Sequence, residues 1–285
     1  MGSPALSTIH SLQFAYVFAG FAVGALVGMT GVGGGSLMTP LLILVFGIHP
    51  ATAVGTDLLF AATTKIAGTW VHGVKRTVDW RLVRRLATGS LPATVACMFI
   101  LRYLNLKTAA ASEVITAVLI VALFATAVVI LFRKAIVSRY GDLIAGLSSA
   151  QIEALTITVG CVLGVMVTLS SVGAGAIGAT ALILLYPTLP TARIVGSDIA
   201  HAVPLTLVAG VGHWLLGSTD LSLFVPLIVG SIPGILIGSF AASRIPESAI
   251  RVVLAATLSI VATKLSFGLH HSLMQMALTT LPAAH

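Results

Sequence analysis

From Leu12 up to Lys65 the chain carries a single Asp, Glu, Lys or Arg, namely Asp57. An apolar run of that length is far longer than the roughly 10-residue alternating strands of an outer-membrane barrel. Its spans are therefore helical. Composition extends this to the whole chain: 58% of the 285 residues are hydrophobic and 8% are charged, where an ordinary soluble domain carries about 25% charge. At roughly 150 residues per domain the length would suggest two soluble domains, yet 15 Lys and Arg with 8 Asp and Glu cannot cover such a surface. With a mean hydropathy of +1.10, the chain is expected to be an all-α polytopic membrane protein.

Its net charge of +7 does not call for nucleic acid. Basic residues gathered between apolar spans are the orientation signal of cytoplasmic loops, so the lipid bilayer is the large partner expected. Cys97 and Cys161 lie inside apolar spans without metal-ligand spacing and read as small packing residues. No metal and no cofactor is expected. Met1 to Gln13 contains no Lys or Arg and lacks the charged start of a cleaved signal peptide.

Ten candidate spans lie near 13–31, 34–47, 51–72, 83–101, 113–132, 154–171, 174–187, 191–213, 221–241 and 248–267. The second and seventh fall short of the roughly 17 to 20 residues that a crossing needs. Each follows a glycine cluster, Gly31-Val32-Gly33-Gly34-Gly35 or Val172-Gly173-Ala174-Gly175, where helix propensity drops by about 1 kcal/mol per glycine. Both are expected to be broken or half helices.

The same clusters open an internal repeat. Gly24–Gly47 lies over Gly164–Pro187 at a shift of 140 residues, pairing Val32-Gly33 with Val172-Gly173, Gly35 with Gly175 and Leu42-Ile43-Leu44 with Leu182-Ile183-Leu184. At a shift of 141, Gly55-Thr56-Asp57 pairs with Gly196-Ser197-Asp198, His72 with His213, Asp79 with Asp220, and Gly89-Ser90-Leu91-Pro92 with Gly230-Ser231-Ile232-Pro233. Lys75, Arg76, Arg81, Arg84 and Arg85 crowd the loop near 72–85, whereas the equivalent loop near 213–222 has Asp220 and no Lys or Arg. By the positive-inside rule the first loop is cytoplasmic and the second external. Equivalent loops on opposite faces require an odd number of crossings per repeat. The expectation is two inverted five-helix repeats, 13–132 and 154–268, joined by a cytoplasmic linker at 133–153, with both termini outside.

Inverted repeats with interrupted helices are typical of secondary transporters, whose substrates bind where half-helix ends meet. A helix N-terminus offers free N–H groups and partial positive charge, and glycine lets an anion come close to them. The candidate substrate-binding residues are therefore Gly33, Gly34, Gly35 and Ser36 in the first half, with Ser170, Ser171, Gly173 and Gly175 in the second. Lys65 lies well inside a span, at a cost of at least about 2.5 kcal/mol. Either Asp57 compensates it or it meets an anionic substrate. Arg193, at a span start, is placed to snorkel to the interface. Asp57 and Asp198 either cap the helices that follow or carry protons in a coupled cycle. His72 and His213, expected at span ends near water, are interface residues or proton relays, since histidine titrates near 6.5.

Taken together, Gly31-Val32-Gly33-Gly34-Gly35-Ser36-Leu37 running to Pro40-Leu41-Leu42, Ala53-Val54-Gly55-Thr56-Asp57, and the weaker Val172-Gly173-Ala174-Gly175 with Val195-Gly196-Ser197-Asp198 resemble the sulfite exporter TauE/SafE family, also called TSUP. The second half departs from the first at Thr180 for Pro40 and Ala174 for Gly34. The resemblance spans about residues 14–268 and implies movement of small sulfur-containing or organic anions, such as sulfite or sulfonates, across a bacterial inner membrane. A passive anion channel would use the same helix ends. An intramembrane hydrolase would need Ser36 or Ser171 beside His72 or His201, but neither serine sits in Gly-x-Ser-x-Gly. No enzyme is expected, and homo-oligomerisation is left open by the sequence.

Overall fold

The computed structural model describes residues 4–30, 35–74, 76–103, 108–242 and 247–280. Ten helices follow one another: α1 (Pro4–Thr30), α2 (Gly35–Leu44), α3 (Pro50–Val74), α4 (Trp80–Tyr103), α5 (Ala109–Ala145), α6 (Ser149–Ser170), α7 (Ala176–Leu185), α8 (Thr191–Leu215), α9 (Leu221–Ala242) and α10 (Glu247–Thr280). No strand occurs among the described residues. Segments of α4, α5, α6, α8, α9 and α10 are long and apolar enough to cross a bilayer. The outer surface is apolar too, with Phe14, Phe18, Phe99, Val121 and Phe267 each more than half exposed. Water would penalise that surface and lipid does not. Trp70, Trp80, Tyr103 and Trp214, all near helix ends, are also exposed, as expected of aromatic rings at headgroup level. The protein is a multi-pass membrane protein.

The helix ends follow local chemistry. Pro50 stands at the first position of α3, where its missing N–H costs no helical bond. Ser148 and Gln151 form a capping box that starts α6. Asp79 accepts the Arg81 and Leu82 N–H groups at the start of α4 (3.1 and 3.3 Å), and Asp220 accepts that of Ser222 at the start of α9 (2.8 Å). The two short spans are ten-residue helices, α2 and α7. At 1.5 Å per residue each is roughly 15 Å long, about half of the bilayer's hydrocarbon thickness.

One segment differs from its expected form. The stretch assigned to a linker at 133–153 is mostly helix, because α5 runs for 37 residues through Arg133, Lys134 and Arg139 to Ala145, and α6 begins at Ser149. Charge ended the apolar run there without ending the helix, since Arg, Lys and Ala all favour helical backbone.

Glycines set how the helices pair, and they do so twice. A Cβ on Gly20 or Gly24 of α1 would strike the α9 backbone at Leu227 or Ser231, and one on Gly230 would strike α1 at Val17. The equivalent residues repeat the contact between α6 and α4: Gly160 meets Leu86, Gly164 meets Ser90, and Gly89 meets Ile157. Each half therefore clasps the other with the same surface. In the central pair, α3 and α8, numbers run in opposite directions. Gly55, near the start of α3, abuts Ser218 and His213 at the end of α8, while Gly196, near the start of α8, abuts His72 and Thr77 at the end of α3. These equivalent helices are antiparallel.

The packing makes a contrast that thermal unfolding in detergent can read. Gly89→Ala places a methyl against the Ile157 carbonyl and is expected to cost about 1 to 3 kcal/mol through overpacking. Gly141→Ala meets nothing within 4 Å and is expected to be neutral or to stabilise α5 by up to about 1 kcal/mol. Equal midpoints for both variants would contradict the close α4–α6 approach.

Candidate functional site

Asp57 and Asp198 sit two turns inside α3 and α8, not at their starts. They therefore do not cap the helices they belong to; the aspartates that do cap are Asp79 at α4 and Asp220 at α9. Both carboxylates are buried, at 0% and 2% exposure. Each reaches across to the short helix of its own half. Asp57 Oδ2 accepts from the Thr39 N–H (3.1 Å) and from Thr39 Oγ1 (2.5 Å) in α2. The Asp198 carboxylate faces the Gly175 N–H at the start of α7 and lies so close to Gly178 that a Cβ there would collide with its Oδ1. Negative charge at the first turns of a helix is favoured by the free N–H groups and the dipole.

The break before α7 depends on left-handed backbone. Ser171 ends α6 with φ 59°, and Gly173 and Gly175 follow with φ 114° and 123°, a region that glycine enters without steric cost. Ser170 ties the turn together, donating to the Met166 carbonyl (2.7 Å) and accepting from the Val172 N–H (3.2 Å). The Ser171 hydroxyl lies beside the Asp57 carboxylate. In the first half, Gly33 and Gly34 lie outside the described residues, as do the surroundings of Gly35 and Ser36, which begin α2.

Lys65 is buried at 7% exposure and lies in the field of Asp198 first and Asp57 second. Among the described residues no ion pair within 4 Å joins it to either. The sequence offered Asp57 alone as its counter-charge; the fold brings Asp198 as well, from the opposite half. His201, fully buried one turn beyond Asp198, has Nε2 2.8 Å from Ser90 Oγ and lies near Lys65. Sequence reasoning considered it only as a hydrolytic base. Its repeat equivalent is Phe60, so the repeat gave no hint, although an Asp-x-x-His spacing in an apolar span already places both residues on one face. Ser90 and His201 do not make a hydrolase triad, because among the described residues His201 Nδ1 has no carboxylate partner.

The Gly-Thr/Ser-Asp motifs are now explained residue by residue. The glycine permits the cross-half approach, the hydroxyl residue binds the opposite loop, and the aspartate points to the centre. Ser197 Oγ accepts the Asp79 N–H (2.8 Å) while Thr56 Oγ1 accepts the Asp220 N–H (3.0 Å). The histidines repeat in the same manner. His72 Nδ1 is 2.8 Å from Thr77 Oγ1, and His213 Nδ1 is 2.9 Å from Ser218 Oγ. His213 does not lie near water as expected: it is fully buried and its Nε2 donates to the Thr168 carbonyl (3.0 Å). Arg193 does not simply snorkel either, since it pairs with Asp79 at 3.2 Å.

The profile of the family described as sulfite exporter TauE/SafE matches residues 16–265. A protein of Bacillus subtilis (strain 168) named "Probable membrane transporter protein YjnA" is 38% identical over 259 residues, covering 89% of this chain and 100% of that protein. "Probable membrane transporter protein YdhB" from the same organism is 25% identical over 247 residues, covering 87% of this chain and 97% of its own length. No solved structure matches the chain.

The buried charges make a stability prediction. Lys65→Met leaves two buried carboxylates without the cation in whose field they lie and is expected to lower the unfolding temperature. Adding Asp198→Asn removes one of those charges, so the double variant is expected to unfold at a higher temperature than Lys65→Met alone. A double variant no more stable than the single one would show that Lys65 and Asp198 are not coupled.

Proposed function

The chain belongs to the sulfite exporter TauE/SafE family, and from that membership and its buried charged centre we propose that it is a secondary transporter of small anions, working by alternating access. The family and its named relatives are membrane transporters rather than enzymes. The observation that carries the finer reading is the burial of Lys65 in the field of two carboxylates, Asp57 bonded to Thr39 of α2 and Asp198 facing the start of α7. Ionisable groups this deep are costly in a membrane protein and mark its substrate or ion path.

Two inverted repeats, 13–132 and 154–268, frame this centre in the proposal. The antiparallel course of the equivalent helices α3 and α8 supports inversion, and so does the loss of all basic residues from the second loop. Alternating access is then a rocking of one repeat against the other around a fixed site. The anion binds to Lys65 and to backbone N–H groups at the start of α7, with the glycines near Gly33 and Gly34 as the first-half counterpart. Asp198 already faces the Gly175 N–H, so it is a tethered anion in the place the substrate takes. Protonating Asp198 releases that N–H and lets the substrate in, which couples protons to anion movement. Asp57 plays the same part at Thr39, and His72 and His213 are candidate relays toward the two faces. In this proposal the protein resides in the bacterial inner membrane with both termini outside.

Flux into liposomes tests the function directly, with sulfite, thiosulfate, sulfonates, sulfate and carboxylates supplied with and without a pH gradient. Saturable anion flux driven by the gradient is expected; flux that neither saturates nor follows it would indicate a channel. Lys65→Ala is expected to weaken anion binding by about 1.5 to 3 kcal/mol, the range for a charge-assisted hydrogen bond, and Gly34→Val to weaken every anion together. Unchanged affinity in both well-folded variants would remove this centre from the path. For orientation, a label confined to the cytoplasm is expected to modify a cysteine placed at Thr77 and to miss one placed at Thr219. Labelling of both from one side would contradict inversion.

A further inference from the structure

Away from the charged centre, a groove of about 520 Å³ runs along the outer surface between α4 and α8, its walls including Val95, Phe99, Val211 and Leu215. Glycine helps to open it. Gly212 gives α8 no side chain there, and a Cβ at that position would come within 2.5 Å of Met98 Sδ. The walls are left uncovered by protein, since Val95, Phe99, Val211 and Leu215 are each more than a third exposed. Among the described residues that line the groove, Arg102 alone is charged. Neither ion pair among the described residues involves it.

The position of Arg102 says what kind of molecule fits. It stands in the last turn of α4, next to the exposed Tyr103, and the exposed Trp214 lies near the end of α8. Such rings mark headgroup level, so the guanidinium is at the depth of lipid phosphates. Val95 lies seven residues earlier in α4, roughly 10 Å deeper at 1.5 Å per residue, among the acyl chains. The orientation signal does not account for Arg102, because Arg81, Arg84 and Arg85 are at the other end of the same helix. A cation at phosphate depth over an apolar groove complements a molecule with an anionic head and a hydrocarbon tail. A soluble anion would leave the apolar walls unfilled. We propose that the α4–α8 groove is a binding site for an anionic phospholipid. Its phosphate pairs with Arg102, whose planar guanidinium can hold two oxygens at once, and one acyl chain lies between Val95, Phe99, Val211 and Leu215. The chain thus rests along α8, the helix that carries Asp198.

Trp214 can report the occupant. Trp70 and Trp80, the other two tryptophans of the chain, are exposed, and Trp70→Phe with Trp80→Phe leaves Trp214 alone, one turn from Val211 on the same face of α8. This full-length protein is placed in phosphatidylcholine vesicles, and quenching of its fluorescence is followed as brominated phosphatidylglycerol or brominated phosphatidylcholine replaces the host lipid. Half-maximal quenching is expected at about fivefold lower mole fraction of the anionic lipid, the gain that one basic residue brings at an anionic surface. Arg102→Gln is expected to bring the two curves together. Val95→Phe, which fills the groove at a lipid-exposed position, is expected to weaken quenching by both lipids. Coincident curves for the protein with Arg102 intact overturn the proposal and require no change at the groove. A difference that survives Arg102→Gln overturns it too, as does one that soluble glycerol phosphate abolishes, for then the arginine takes a free anion. Quenching left unchanged by Val95→Phe would remove the acyl chain from the groove and contradict the proposal likewise.

Discussion

Three ionisable side chains, buried on α3 and α8 and turned toward the two short helices, govern the rest of this structure. Asp57, Asp198 and Lys65 cannot be held away from water singly, because an uncompensated charge in low dielectric costs several kcal/mol. They are tolerated because each finds an opposite charge or a backbone donor: Lys65 lies near both carboxylates, and the carboxylates turn to the Thr39 N–H of α2 and the Gly175 N–H before α7. The short helices exist for the same reason. A helix that spanned the bilayer unbroken would expose no N–H groups at that depth, so the left-handed turn at Ser171, Gly173 and Gly175 is what creates them.

Placing Lys65 of α3 near Asp198 of α8 as well as Asp57 demands a close approach of the two helices, and this is the task of the small residues. Gly55 and Gly196 let the ends of the two helices meet backbone to backbone, and Thr56 and Ser197 fasten the contact with hydrogen bonds to opposite loops. Around that pair, α1 closes on α9 and α6 on α4 through equivalent glycines. In lipid, helices gain little from apolar burial against one another, so close packing of small residues carries the association. Sites that look like independent sequence motifs are thus parts of one arrangement.

Much of this was legible because the chain states it twice. The order of matched residues from Gly24 to Pro92 exposed the repeat, the glycine clusters marked both short helices, and the paired aspartates pointed to the centre. What escaped was tertiary or confined to one half. The contact of Asp57 with Thr39 crosses a turn between α2 and α3 and leaves no periodic trace. His201 has no polar counterpart in the first half, so comparing halves concealed it. Asp79 and Asp220 were visible as repeat markers, but their capping role appears only once the starts of α4 and α9 are fixed. The helical continuation of α5 past Arg133 was hidden because charge, which ends a membrane span, does not end a helix.

The central claim is that a substrate anion takes the place at the start of α7 now faced by Asp198, with Lys65 as its cation. The most direct measurement is an experimental structure of the protein with a transported anion bound, at a resolution that locates its oxygens. The account predicts the anion within hydrogen-bonding distance of Lys65 Nζ and the Gly175 N–H, with Asp198 turned away from that N–H. An anion bound elsewhere, with Asp198 still facing Gly175 and Lys65 out of contact, would contradict it.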